Sequence, residues 1–331
     1  MMQKKLLITG SSGYIGSCLN AFLKNKYQVY LLDKQKPKKF DEINFKNFFR
    51  CDLRDKKKLE RIIKKIKPDL VIHLAAKSTV NEKIKKNIYI LNNLKATENL
   101  VNSMNKFNIK KIIFSSTAAV YDKNSKSINE KFALKPISNY GVSKLLAENI
   151  IMKNDKLNYV ILRFFNVSGC LKNPIVGEFH NPETHLIPVC VLKGIKNKKI
   201  NIFGNDYKTK DGTCVRDYVH IKDICTAIEK SKNFLDNNNS TILNIGGGKG
   251  ISNKNVIVCL KKILNKDIKI SYLNKRKGDQ PILFCNIKKA KKMINWEPKN
   301  SKISNILKDE VIWARYLIKK KIKRKYLSVQ K

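Results

Sequence analysis

Short apolar runs that end in small or polar residues recur through the first half of the chain, with amphipathic stretches between them. Lys5 to Thr9 is such a run, followed by Gly10-Ser11-Ser12-Gly13-Tyr14-Ile15-Gly16. Ile15, Leu19, Phe22 and Leu23 then share one helical face, so the order is strand, glycine-rich turn, helix. Gln28 to Leu32 reads as a strand ending in Asp33, and Phe48 to Cys51 as another that leads into Asp52-Leu53 and a helix to Ile66. Asp69 to Leu74 predicts a buried strand ending at Ala75-Ala76. A helix is expected over about 88–105, a strand over Lys111 to Phe114 that ends in Ser115-Ser116-Thr117, a helix through Tyr140, and a strand over Tyr159 to Phe164. Strands alternating with helices predict an α/β fold with a parallel, doubly wound sheet.

Beyond Phe165 the rhythm loosens. A helix is predicted near Leu186 to Ile195, a short strand over Ile200 to Phe203, and a helix within Val219 to Phe234. A strand over Thr241 to Ile245 ends in Gly246-Gly247-Gly248, read as a tight connection at a domain seam because no Lys-Ser/Thr follows as in a phosphate loop. A helix over Asn253 to Leu264, a strand over Ile268 to Leu273 and further helices follow, the last running into a basic tail through Lys325. The expected division is a Rossmann-type domain over 1–168, with 218–245 returning to it, and a smaller α/β substrate-binding cap made of 169–217 and 246–331.

Two segments carry chemistry. In the glycine-rich turn, glycine permits close approach of a pyrophosphate, and the helix N-terminus faces its negative charge. Asp33 ends the next strand, where a carboxylate can bond a ribose 2′-hydroxyl, which favours NAD over its 2′-phosphorylated form. Tyr140 and Lys144 stand four apart on a predicted helix and so share a face. An ammonium beside a phenol favours phenolate, and a tyrosine so tuned is a general base. Gly10, Asp33, Asp52, Ala75, Thr117 and Tyr140 all follow strand ends, the edge of such sheets where ligands bind.

The formal net charge is +43, yet only eight of the 69 basic residues are arginine and the lysines spread over nearly every segment. This describes a solvated lysine surface that attracts anionic small molecules, and nucleic acid is not expected as a partner. No apolar run approaches a membrane span. Eight cysteines lie scattered without Cys-x-x-Cys pairs, and the four histidines form no ligand cluster with them, so a reduced cytoplasmic protein without a metal is expected.

Taken together, these segments resemble the extended short-chain dehydrogenase/reductase family, and within it the UDP-glucose 4-epimerase branch. The similarity runs from Leu6 to about Pro298. Its general marks are Gly10 to Gly16, Phe114 to Tyr121 and Tyr140 to Lys144. Its more specific marks are Arg163 to Gly169, Asn181 to Pro188, Phe203 to Tyr207, Asp211 to His220, Asn244 to Gly250, Arg276 to Asp279 and Trp296-Glu297-Pro298.

The resemblance implies a bound NAD that does not exchange, held by Gly10, Gly13, Tyr14, Ile15, Gly16, Asp33, Asp52, Leu53, Leu74, Ala75, Ala76, Asn92, Ser115, Tyr140, Lys144 and Phe165. It implies a UDP-sugar substrate, with Tyr140 taking the proton of the sugar 4-hydroxyl, Thr117 bonding that hydroxyl, and Lys144 lowering the Tyr140 pKa. Asn166, Leu186, Phe203, Arg216, Tyr218, Arg276 and Asp279 would hold the UDP part, and a homodimer is expected. The implied reaction is the interconversion of UDP-glucose and UDP-galactose through a 4-keto sugar. Nucleotide-sugar dehydratases place an acid pair where this chain has Ala118-Ala119, so elimination is not expected. Ser78 stands where many epimerases have lysine. Leu283 is smaller than the tyrosine of glucose-restricted members, which leaves N-acetylhexosamine or pentose nucleotides as alternative substrates. A non-catalytic RNA-binding relative is the reading from another class, and an intact Thr117, Tyr140 and Lys144 speaks against it.

Overall fold

The computed structural model of the chain describes residues 3–37, 45–79, 84–122, 127–237, 239–276 and 278–322. Lys277, within the Arg276 to Asp279 mark, and the basic tail beyond Ile322 lie outside the described residues. The first half contains β1 (Lys5–Thr9), α1 (Tyr14–Leu23), β2 (Gln28–Asp33), β3 (Phe48–Arg50), α2 (Lys56–Ile66), β4 (Leu70–His73), α3 (Lys86–Tyr89), a π-helical segment (Ile90–Lys95), α4 (Ala96–Lys106), β5 (Lys111–Thr117), β6 (Ser127–Ile128), α5 (Asn139–Met152) and β7 (Asn158–Phe164). The second contains β8 (Asn166–Ser168), β9 (Cys170–Lys172), β10 (Ile175–Gly177), α6 (Leu186–Ile195), β11 (Ile200–Phe203), β12 (Val215–His220), α7 (Ile221–Asp236), β13 (Thr241–Ile245), β14 (Gly250–Ser252), α8 (Asn253–Leu264), β15 (Ile270–Leu273), β16 (Ile282–Cys285), α9 (Lys288–Ile294) and α10 (Ile303–Lys319).

The main sheet has seven strands in the order β13-β7-β5-β4-β1-β2-β3. Every pairing in it is parallel. Alternation along each strand sends its side chains to opposite faces. Leu6 and Ile8 of β1 enter one core with α1 and α7, whereas Leu7 enters the other with α2, α4 and α5. Val160 and Leu162 of β7 likewise separate from Ile161. The winding direction reverses between β1 and β4, which opens a crevice at their carboxyl ends.

The helix expected over about 88–105 runs over 86–106 and contains a π-helical stretch. Its i→i+5 stretch at Ile90–Lys95 carries Asn93 inward. There Asn93 accepts from the Lys77 amide at 2.7 Å and donates to the Ser143 hydroxyl at 2.8 Å. These bonds join the loop after β4 to α5, and they satisfy polar groups that a straight helix would leave unpaired in the interior.

The second half builds a separate core from α6, α8, α10 and β11, with Ile187, Val191, Ile257, Leu260, Leu307 and Val311 at its centre. The short strands β8, β9, β10, β14 and β16 were not predicted, and β12 was not resolved from the helix after it. Ala290, Ile294 and Trp296 pack on the α1/α7 side of the main sheet. Among the described residues no helix is long and apolar enough to cross a membrane.

Candidate active site

The glycine-rich turn leaves β1 at Gly10, whose φ of +73° lies in the left-handed region that glycine tolerates. A Cβ on Gly10 would stand 2.6 Å from the Ala75 amide nitrogen, and one on Gly16 would stand 2.3 Å from the Gly10 carbonyl oxygen. These two glycines let the turn press against the end of β4 and let α1 close on the turn. Gly13 precedes α1 and has no side-chain cap on its helix, and the first turn of α1 contains no acid. Asp33 at the end of β2 accepts from the Ser12 amide at 3.0 Å and the Gln35 amide at 2.9 Å. Burial raises its pKa and the two amides oppose that shift.

A cradle that Cβ atoms would fill, an open helix N-terminus and a carboxylate on the neighbouring strand together fit a dinucleotide. Leu74, Ala75 and Ala76 follow β4 at the same crevice, and Leu74 is tied to β1 through the Thr9 carbonyl. Asn92 accepts from Lys34 at 2.9 Å, one residue beyond Asp33. Asp52 is bonded by the Arg54 guanidinium, which lowers its pKa, and Leu53 is buried in the core. Tyr14 donates to the Gly169 carbonyl at 2.6 Å, which fastens the start of α1 to the second half of the chain.

Thr117 ends β5, and a 3₁₀ turn (Ala118–Val120) follows. The Thr117 hydroxyl caps that turn by accepting from the Ala119 amide at 3.2 Å. Ser138 caps α5 by accepting from the Gly141 amide at 3.0 Å. A Cβ on Gly141 would stand 2.3 Å from the Ala119 carbonyl oxygen, so α5 lies hard against the turn. That contact sets the Tyr140 hydroxyl beside Thr117, close enough for the threonine to oppose the rise in the phenol's pKa.

One expectation needs correction. Lys144 was to lower the Tyr140 pKa, but burial pushes Tyr140 up to about 12, with Thr117 opposing and Tyr89 adding to the rise. Burial also pulls Lys144 down to about 7, against the pull of Glu148. Its ammonium sits 4.0 Å from the centroid of the Phe114 ring. The interior disfavours both charged forms.

Below Lys144 lies a buried network that sequence reasoning did not assign to the site. Glu148 accepts from the Ser116 hydroxyl and from Arg163 at 2.6 Å. Arg163 donates to the Tyr121 hydroxyl at 3.0 Å, and Tyr121 donates to Asn244 at 2.6 Å. Ser116, Tyr121, Arg163 and Asn244 lay in segments marked by the resemblance, but nothing in their spacing showed that they meet Glu148. His73, also unassigned, links Thr9 and Thr97 at 2.7 and 2.9 Å, and burial lowers it to about 3. Ser115 donates to the His73 carbonyl at 3.2 Å.

The strands carry the site onward. Thr117 pairs with Phe164, and Tyr218 of β12 pairs with Asn166 just beyond Phe165. Asn166 is exposed and Phe165 is buried. Arg216 and Tyr218 alternate with Asp217, so they point away from it. Arg216 donates to the Gln280 carbonyl at 2.6 Å and meets Asp279 at 3.4 Å. The Arg276 guanidinium lies 3.6 Å from the centroid of the Phe203 ring. Leu186 and Tyr218 share the core of the second half. Asp217 turns inward and accepts from the Gly248 and Cys285 amides at 3.1 Å each. The triple glycine is therefore capped by a protein carboxylate, and a Cβ on Gly247 would meet the Tyr218 carbonyl at 2.4 Å.

Residues 6–246 match the NAD dependent epimerase/dehydratase family. A UDP-glucose 4-epimerase of Lactobacillus helveticus is 36% identical over 320 residues, covering 94% of this chain and 97% of that protein. A solved UDP-glucose 4-epimerase superposes with a TM-score of 0.89 at 34% identity, covering 94% of this chain and 98% of the other. The Bifidobacterium longum UDP-glucose 4-epimerase, solved with NAD+ and UDP, superposes with a TM-score of 0.87 at 29% identity, covering 96% and 99%. By sequence along most of its length and by the course of its backbone, the chain belongs to the NAD dependent epimerase/dehydratase family.

Proposed function

We propose that the chain is an NAD-dependent UDP-glucose 4-epimerase that interconverts UDP-glucose and UDP-galactose. The observation that carries this is the placing of Tyr140 beside Thr117 by the close contact of Gly141 with the Ala119 turn, at the carboxyl end of β5, next to a dinucleotide cradle and joined through β8 and β12 to Arg216. Gly10, Gly13, Gly16 and Asp33 would hold NAD, with Leu74, Ala75, Ala76, Asn92 and Ser115 around them. NAD held there would supply the hydride acceptor and donor for oxidation and re-reduction at sugar carbon 4.

The chain's own residues handle the proton and the anchoring. Tyr140 takes the 4-hydroxyl proton and gives it back, and Thr117 holds the hydroxyl by donating and accepting. Tyr140 becomes a usable base when Lys144 is cationic, so the proton balance between these two residues sets the active form. Arg216, Arg276, Phe203, Tyr218, Leu186, Asn166 and Asp279 would hold UDP, since guanidinium groups suit a diphosphate. A firmly held nucleotide and a loosely held hexose let the keto sugar turn. Ala118 and Ala119 cannot move protons, which disfavours dehydration. Leu283 packs against the buried cluster that contains Phe165 and Tyr121, and its being smaller than the tyrosine of glucose-restricted members would leave room there for a larger sugar substituent.

Residues 1–168 and 218–245 would form the cofactor-binding part, and the remainder most of the sugar-nucleotide part. We place the protein in the cytoplasm, consistent with eight free cysteines. A homodimer would bury the exposed Ile88, Leu91 and Leu146 on the adjacent α3, π segment and α5.

The test is to incubate purified protein, without added NAD, with UDP-glucose and separately with UDP-galactose and to resolve the products. Interconversion from both sides is expected, falling about 10²–10⁴-fold in Tyr140→Phe, the range for removing a general base. No interconversion even with NAD supplied would overturn the glucose/galactose assignment. Parallel assays with UDP-N-acetylglucosamine and a UDP-pentose decide the sugar.

A further inference from the structure

The loop between β10 and α6 gathers Glu178, His180, Glu183 and His185, with one donor atom from each lying within 4.8 Å of the others. Among the described residues this is the one such group of histidine and carboxylate side chains. Glu178 Oε1 lies 2.8 Å from His180 Nδ1 and 2.5 Å from His185 Nδ1. Glu183 Oε1 lies 3.3 Å from His185 Nδ1, and Glu183 Oε2 lies 3.9 Å from His180 Nδ1. Glu178 is 1% exposed, and its second oxygen has no hydrogen-bond partner. Two imidazoles thus converge on one carboxylate oxygen while the other is left bare in the interior. An unsatisfied buried carboxylate oxygen is costly.

A cation resolves this arrangement. We propose that Glu178, His180, Glu183 and His185 bind one divalent transition-metal ion of the Zn²⁺ class. Two imidazoles and two carboxylates are borderline N/O donors that suit such an ion, and the two carboxylates balance its charge. Ligand bonds of about 2.0–2.2 Å hold donors no more than about 4 Å apart, so a small inward turn of these side chains closes the set. The cluster is supported from behind, because Trp313 donates to the Glu178 carbonyl at 2.6 Å, and Glu183 accepts from the Thr184 and His185 amides at 2.8 Å each. Such outer contacts orient ligands. The histidine side chains are 36% and 56% exposed, which gives the ion a way in. The cysteine-based spacing patterns considered in the sequence pass over this set, because its ligands are Glu-x-His and Glu-x-His.

His185 directly precedes α6, and Glu178 directly follows β10. The ion would therefore tie the β9–β10 hairpin to the start of α6, where Leu186 is proposed to face the nucleotide. Metal binding itself does not depend on that assignment.

The test uses the full, tag-free chain stripped with EDTA, titrated with Co²⁺ and followed by visible absorption. Saturation at one Co²⁺ per chain is expected, with the bands removed by Zn²⁺. His180→Ala and His185→Ala should each weaken Co²⁺ binding at least tenfold with unchanged far-ultraviolet circular dichroism. Glu178→Gln should do the same, and if it fails to fold the two exposed histidines decide alone. Absence of saturable uptake, or uptake unchanged in both histidine variants, would show a hydrogen-bonded cluster and sink the proposal.

Discussion

Lys144 shows how far spacing alone can be taken. Its place four residues after Tyr140 was legible, as was the shared helical face. The depth of the site was not, because burial depends on β5, α4 and the π segment closing around α5. That depth reverses the simple expectation for Tyr140 and brings Lys144 to about 7. The sign for stability follows. An unfolded lysine titrates near 10.5, so between about pH 7 and 10 the unfolded chain binds more protons than the folded one. This group's contribution therefore grows as pH rises through that window and is lost as pH falls through 7. Denaturant midpoints of cofactor-stripped protein should rise over this range less in Lys144→Met than in the unchanged chain, and equal slopes would refute a buried neutral amine.

At the scale of elements, the main strands and helices were legible because long apolar periodicity fixes them. The π segment was not, since Ile90 to Lys95 differs from ordinary helix by a single extra residue per turn and reveals itself only through Asn93 and its partners. The short strands of the second half carry too few residues for a period. Gly141 is the clearest case of an element-level constraint hidden in a familiar motif. Gly141→Ala would set a Cβ 2.3 Å from the Ala119 carbonyl and push α5 off the turn that follows Thr117. Overpacking of this kind costs about 1–3 kcal/mol. The expected outcome is a lower melting temperature together with a kcat loss larger than any change in UDP affinity, because Arg216 and Phe203 lie on other elements. Unchanged kcat would mean that α5 can shift without separating Tyr140 from Thr117.

At the scale of the molecule, the lysine excess has a measurable consequence. A net charge of +43 and a doubly anionic substrate predict a KM that rises with salt, by about threefold or more between 50 and 500 mM NaCl, with kcat little changed. A flat KM would mean that the surface field does not reach the site. The proposed homodimer belongs here too. Sedimentation of Leu91→Glu/Leu146→Glu should give monomer while the unchanged chain gives dimer, since an apolar seam does not tolerate paired carboxylates. If both sediment alike, the subunit contact lies elsewhere.

The seven-stranded sheet is finished by a latecomer. β13 supplies the outer partner of β7, pairing Thr241 to Ile245 with Val160 to Phe164, yet the whole run from β8 to α7 is made between them. On a ribosome adding roughly 5–20 residues per second, the chain from Phe164 to Thr241 takes on the order of 4–15 s to appear. For that interval the nascent protein carries an open apolar strand edge, the kind that recruits other chains. Production of this protein should therefore be sensitive to pauses in translation between those two strands, in a way that the stability of the finished molecule would not reveal.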